Sequence, residues 1–187
     1  MSESQEPTSR VWTIPNIISM LRIVLIVAFA VLLARRADGW AIIALVAAGV
    51  SDFFDGFLAR RWNQVTTLGR VLDPAADRLL TLAVVIGLGL RGIVPWWLVA
   101  VLLARDAVVG IALLIGRRRG VGTPQVTSVG KAATLGLYVF LPLSYLAYGH
   151  SDAWHAVGIW GGAASAAAYW YAGLRYVRDI ARRLRPA

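Results

Sequence analysis

The stretch Ser51-Asp52-Phe53-Phe54-Asp55-Gly56-Phe57-Leu58-Ala59-Arg60, followed by Gly69-Arg70-Val71-Leu72-Asp73-Pro74-Ala75-Ala76-Asp77, sets four carboxylates in or beside two long apolar segments. A charge in such a segment is costly and marks a functional site or a buried pair. Asp52 and Asp55 stand three residues apart, Asp73 and Asp77 four. On helices, each pair therefore shares a face. The connection between the segments, about residues 61–69, is short, so the helices are expected to pack antiparallel and the four carboxylates to converge.

Four carboxylates at low dielectric repel one another strongly. Pairing with Arg60, Arg70 and Arg78 is the ordinary remedy, and for one lone aspartate it would be an even alternative. Four at this spacing favour divalent cations instead. Oxygen ligands with no nearby His or Cys favour Mg²⁺, Mn²⁺ or Ca²⁺ over zinc. Two such ions bridged by carboxylates serve displacement at phosphorus. Gly56 and Ala59 fall on the face of Asp52, and Gly69 lies four before Asp73. Small residues there let a ligand approach the backbone, although ordinary helix packing uses them too.

Working outward, the 187 residues are 58% hydrophobic and 16% charged, with a mean hydropathy of +0.65. A soluble domain carries roughly 25% charged residues. Six apolar spans can be marked, roughly 17–34, 39–60, 70–90, 95–116, 130–149 and 154–177. Each is long enough, or nearly so, to cross about 30 Å of hydrocarbon. The expected fold is an all-α membrane protein with six transmembrane helices and a short interfacial helix start at Val11–Asn16. Residues 1–10 are expected to form a flexible tail, 11–181 the membrane domain and 182–187 a basic tail. Asp38-Gly39, Gly92 with Pro95, Gly120 to Pro124 and Gly149 to Asp152 separate the spans.

The net charge of +9 is almost all arginine, Lys131 being the one lysine. In a membrane chain this reflects positive-inside loops and anionic lipid heads rather than nucleic acid. With six spans, both termini share a side with Arg10, Arg60, Arg61, Arg117–Arg119, Lys131, Arg182, Arg183 and Arg185. Arg35, Arg36 and Arg91 fall on the other. That bias places both ends, and the carboxylates, in the cytoplasm. The first apolar run is followed by Arg35 and Arg36 rather than a small-residue cleavage site, so it reads as a retained helix. Without cysteine, disulfides and thiolate metal sites are excluded.

The pattern Asp52-x2-Asp55-Gly56-x2-Ala59-Arg60-x8-Gly69-x3-Asp73-x3-Asp77 resembles, at every fixed position, the signature of the CDP-alcohol phosphotransferase family. Pro15-Asn16-x2-Ser19-x2-Arg22 resembles the N-terminal element of that family's bacterial phosphatidyltransferases. The resemblance implies a multi-pass six-helix bundle in the cell membrane, usually a homodimer, with a cavity open to the cytoplasm and to lipid. It implies that Asp52, Asp55, Asp73 and Asp77 hold two Mg²⁺ or Mn²⁺ ions and that Asp77 is the catalytic base for the acceptor hydroxyl. Asp52, Gly56, Ala59, Arg60 and Gly69 would line the CDP-lipid site, helped by Asn16 and Arg22. CDP-diacylglycerol is the implied donor.

The resemblance implies glycerol 3-phosphate or phosphatidylglycerol as acceptor, ahead of inositol phosphate and serine, since the opening and the stretch Asp55-Gly56-Phe57-Leu58-Ala59-Arg60-Arg61-Trp62-Asn63 resemble the glycerol branch. Arg105 and Lys131 match basic acceptor-binding positions in the glycerophosphate enzymes, which typically carry a further arginine where this chain has Leu113. They often have Glu after the first arginine, where this chain has Asp106. Together with Ile93-Val94-Pro95-Trp96-Trp97 and Gly130-Lys131-Ala132-Ala133-Thr134, this favours the cardiolipin-synthase-like branch. A transporter or channel is the rival class, since intramembrane aspartates mark those as well. It would call for inverted repeats or broken helices in both halves, whereas these signature residues lie in spans two and three.

Overall fold

In the computed structural model, helices follow one another through the described residues, 14–61, 69–120 and 127–184. They are α1 Ile14–Ala34, α2 Asp38–Arg61, α3 Gly69–Leu90, α4 Trp96–Arg118, α5 Ser128–Ala147 and α6 Asp152–Arg183. For residues 14–15, 52–61, 69–71 and 73–74 only the backbone is described. The expected tail 1–10 and the segment Val11–Thr13 lie outside the described residues. Each expected span coincides with a helix. The largest difference is α6, which runs to Arg183 rather than 177. Arginine ends an apolar run without ending a helix, because its helix propensity is high.

Among the described residues, three helical stretches are both long and apolar enough to cross a membrane: Asn16–Ala34, Trp96–Arg118 and Ser128–Ala147. The other three expected crossings do not meet both criteria among the described residues. In α2 the described side chains Asp38–Ser51 form a shorter apolar stretch, and those beyond it lie outside the described residues. α3 opens with Arg70, Asp73, Asp77 and Arg78, and α6 closes with Arg175, Arg178, Asp179, Arg182 and Arg183. The exposed surface is nonetheless apolar, with Val24, Val27, Trp40, Val46, Leu135 and Trp160 among its large side chains. Water would not tolerate such contiguous patches, and lipid does. This is a membrane protein.

The chain forms two units, Met1–Gly87 and Leu88–Ala187. In the first, α1 packs against α2. The buried face of α1 is Asn16, Ser19, Arg22, Ile26, Phe29 and Leu33, a three-and-four spacing that keeps one side of a helix inward. Its first half is polar and its second apolar. On α2 the buried face is Ala41, Ala44, Leu45 and Ala48, whose small side chains let the two backbones approach. Between the helices, Ala37 N–H donates to Leu32 O at 3.0 Å and Arg36 N–H to Leu33 O at 3.1 Å. This capping motif requires a left-handed residue, usually glycine, and Arg36 fills it at φ 59°.

In the second unit α6 packs against both α4 and α5. A Cβ on Gly158 would fall 2.6 Å from the Ser144 backbone nitrogen, so α5 and α6 meet nearly backbone to backbone there. α4 and α6 run in the same direction. His155 Nε2 lies 2.8 Å from Ile93 O, Gly162 faces Leu98, Arg105 meets Tyr169, and Gly173 faces Val109.

A left-handed residue with a side chain costs about 1 kcal/mol. Arg36→Gly is therefore expected to stabilise the first unit by about that amount, read as a higher midpoint in thermal unfolding of the detergent-solubilised protein.

Candidate active site

The site is built from the register of α2. Its buried stripe 41, 44, 45, 48 continues, at the same three-and-four spacing, as 52, 55, 56 and 59. The signature positions thus occupy the helix face that upstream packs against α1. Because α1 and α2 form an antiparallel hairpin about Arg35–Ala37, heights along it can be compared. Arg22 and Asp52 stand roughly 18 Å and 21 Å from the turn at 1.5 Å per residue. The polar half of α1's buried face is therefore level with the acidic half of α2.

Asn16 and Ser19 are almost wholly buried, and Arg22 is 0% exposed. Such burial of a guanidinium requires a counter-charge. Arg22 Nη1 donates to Asp77 Oδ1 at 3.2 Å. The Asp77 side chain remains 48% exposed, so its carboxylate is accessible while one oxygen is held. One turn on, Thr81 Oγ1 donates to the Asp77 main-chain oxygen at 3.0 Å. Arg22 entered the sequence reading as a donor-binding residue, and the geometry also makes it the ion-pair partner of Asp77. The side chains of Asp52, Asp55, Gly56, Ala59, Arg60, Gly69 and Asp73 lie outside the described residues. Their helical positions keep Asp52 and Asp55 on one face of α2, and Asp73 and Asp77 on one face of α3. Among the described side chains no group of three metal-ligating residues occurs, and only Asp77 of the four aspartates is among them.

Of the expected acceptor residues, Arg105 is 8% exposed on α4 and held on three sides. Its Nε donates to Tyr169 O at 3.3 Å, and its Nη1 to Asp106 Oδ1 at 2.9 Å. Its Cζ sits 3.4 Å over the Tyr169 ring, and the Tyr169 hydroxyl donates to the same Asp106 oxygen at 3.2 Å. A Cβ on Gly173 would lie 3.0 Å from Arg105 Nε, so the glycine makes the space the guanidinium uses. Lys131, in the first turn of α5, is exposed. Tyr169 and Gly173 were absent from the sequence reading, since 64 residues separate Arg105 from Tyr169 and no local pattern links them. Ser19 was quoted there only as part of a motif.

Comparison with known proteins agrees with the signature. The family model described as CDP-alcohol phosphatidyltransferase matches residues 12–175. Over 194 aligned residues, covering 99% of this chain and 90% of the relative, the chain is 44% identical to a cardiolipin synthase (CMP-forming) of Streptomyces coelicolor. A putative cardiolipin synthase of Mycobacterium bovis is 50% identical over 72% of this chain and 65% of its own length. A probable phosphatidylglycerophosphate synthase of Mycobacterium tuberculosis is 37% identical over 73% and 69% respectively.

If Arg22 and Asp77 act as a pair, their replacements are not additive. A double-mutant cycle of Arg22→Met and Asp77→Asn, measured by denaturant unfolding in detergent, is expected to give a coupling of about 1–3 kcal/mol. Additive losses would show that the ion pair contributes nothing.

Proposed function

The chain belongs to the CDP-alcohol phosphatidyltransferase family and is a transferase of phospholipid biosynthesis; we propose that it moves the phosphatidyl group of CDP-diacylglycerol onto phosphatidylglycerol, releasing CMP and forming cardiolipin. The observation that carries this reading is the ranking of relatives. Identity is 44–50% to proteins named cardiolipin synthase and 37% to one named phosphatidylglycerophosphate synthase. Leu113, where a second phosphate-binding arginine would serve a small anionic acceptor, points the same way. The second reading keeps the donor and takes glycerol 3-phosphate as acceptor. The 37% relative and the buried Arg105 favour it.

In the reaction, the acceptor hydroxyl oxygen forms a bond to the β-phosphorus of the donor. The bond from that phosphorus to the bridging oxygen breaks, and CMP leaves. Asp77 receives the hydroxyl proton. Its carboxylate is suited to this because Arg22 holds one oxygen while the group stays half exposed. Asp52, Asp55 and Asp73, with Asp77, form an all-oxygen donor set that fits two Mg²⁺ or Mn²⁺ ions. Bound there, such ions would neutralise the diphosphate and the charge on departing CMP. Gly56, Ala59 and Gly69 would leave room for the nucleotide, with Asn16, Arg22 and Arg60 near the donor. Arg105, fixed by Tyr169 and Asp106, and Lys131 would meet the acceptor. Six crossings, both termini in the cytoplasm and a homodimer complete the reading. The helical hairpins and the arginine bias support the topology. The division into a tail at 1–10, a domain at 11–181 and a tail at 182–187 is kept, with α6 extending two residues into the last.

Purified protein given CDP-diacylglycerol with either acceptor is expected to release CMP and yield cardiolipin from phosphatidylglycerol. Phosphatidylglycerophosphate as the sole product would select the second reading, and no turnover with any alcohol would reject both. Chelation of divalent cations is expected to abolish CMP release, and Mg²⁺ or Mn²⁺ to restore it. Asp77→Asn is expected to lower turnover by at least about 10²-fold while the protein still binds donor. Retained activity would remove its role as base.

A further inference from the structure

The second unit ends in arginines that the proposed chemistry does not use. Arg117, Arg118 and Arg119 close α4, and Arg178, Arg182 and Arg183 lie at the end of α6; all six are exposed. Among the described residues of these two helix ends, Asp179 is the one acid, paired with Arg183 at 3.0 Å. Six arginines and one aspartate leave +5 here, more than half of the chain's +9.

These side chains share a height. The contacts of Ile93 with His155, Leu98 with Gly162, Arg105 with Tyr169 and Val109 with Gly173 keep a separation of 62 to 64 in residue number. Continued along the parallel pair, that register sets Arg117–Arg119 level with residues 181–183. α4 is apolar enough to span a membrane, and its 23 residues cover roughly 34 Å against a core of about 30 Å. Exposed Trp96 at its start suits one interface. Its terminal arginines then fall in the headgroup layer of the other, and Arg182 and Arg183 with them. On α6, Arg178 and Arg182 are four apart and share a face, while Ile180, between them in sequence, is buried. The arginines therefore point away from the protein.

We propose that this collar binds the headgroup phosphates of anionic phospholipids in the surrounding leaflet and enriches the enzyme's neighbourhood in them. Guanidinium groups pair with phosphate oxygens through two parallel hydrogen bonds. Orientation during insertion depends on the number of basic residues near span ends and requires neither a common height nor a common face. Arginines spread over two helix ends form a surface rather than a pocket, which fits a lipid layer and not a free phosphate. The donor of the family reaction is itself an anionic lipid, so enrichment would raise its local supply. The inference does not depend on which acceptor is used.

The test measures lipid association directly. Purified protein is placed in phosphatidylcholine nanodiscs containing a trace of spin-labelled phosphatidylserine or spin-labelled phosphatidylcholine. Phosphatidylserine is neither the donor nor a proposed acceptor. The protein-restricted fraction of each is read by electron paramagnetic resonance. The serine lipid is expected to be preferred several-fold, with the preference collapsing between about 0.1 M and about 1 M salt. Arg178→Gln/Arg182→Gln/Arg183→Gln and Arg117→Gln/Arg118→Gln/Arg119→Gln are each expected to reduce it by at least about threefold. Arg35→Gln/Arg36→Gln, at a different helix end, is expected to keep it. No preference in the unaltered protein, a preference indifferent to salt, or an equal loss in the Arg35/Arg36 variant would overturn the proposal. Should the triple variants fail to fold, the salt titration of the unaltered protein decides alone. Because no turnover is read, failure here leaves the transferase reading untouched.

Discussion

A guanidinium with no exposed surface cannot stand without a counter-charge, and the Arg22–Asp77 ion pair is the constraint around which the first unit is arranged. It joins the first helix to the third across 55 residues of sequence. For Arg22 to reach Asp77, α1 must turn its polar half inward, which brings Asn16 and Ser19 into the interior with it. The alanines of α2 then let the hairpin close tightly enough that the signature positions fall beside that polar half. The carboxylate that anchors α1 to α3 is thus also the one proposed as catalytic base. The Asp77 carboxylate, half exposed, is held at one oxygen by Arg22.

The second unit meets the shortage of water by a different route. Where no solvent is available to satisfy polar side chains, they bond to neighbouring helix backbones. Arg105 donates to Tyr169 O, Trp170 Nε1 to Val101 O at 2.9 Å, and His155 reaches Ile93 O. These bonds fix the register of α4 against α6, and Gly173 leaves beside Arg105 room that a Cβ would crowd. On α5, glycine again sets the spacing, since any Cβ at Gly158 would strike the Ser144 backbone. The unit is therefore keyed by side chains that reach across and by others that are missing.

That keying bears on the acceptor. Arg105 is fixed on one edge by Asp106 and covered on one face by Tyr169. Leu113 adds no second cation nearby in sequence. The missing second cation fits an acceptor that enters as a lipid with its own hydrophobic anchorage, whereas the buried Arg105 fits one met through its phosphate.

Much of this was legible in the linear chain. Apolar period and breakers located every helix to within a few residues, because a backbone in lipid has few options but to satisfy itself. The helix α6 outruns its apolar span, since apolarity stops at 177 while helix propensity does not. The three-and-four spacing put Asp52 with Asp55 on one face of α2 and Asp73 with Asp77 on one face of α3, since helical periodicity maps directly onto a face. What the chain could not disclose is which side chain meets which across distant helices. Nothing local marked Arg22, 55 residues away, as a partner of Asp77. Tyr169 carried no signal at all before it was found beneath Arg105. Local order follows from residue type and spacing, which sequence contains, whereas partner choice depends on the crossing and register of packed helices, and only the tertiary structure decides those.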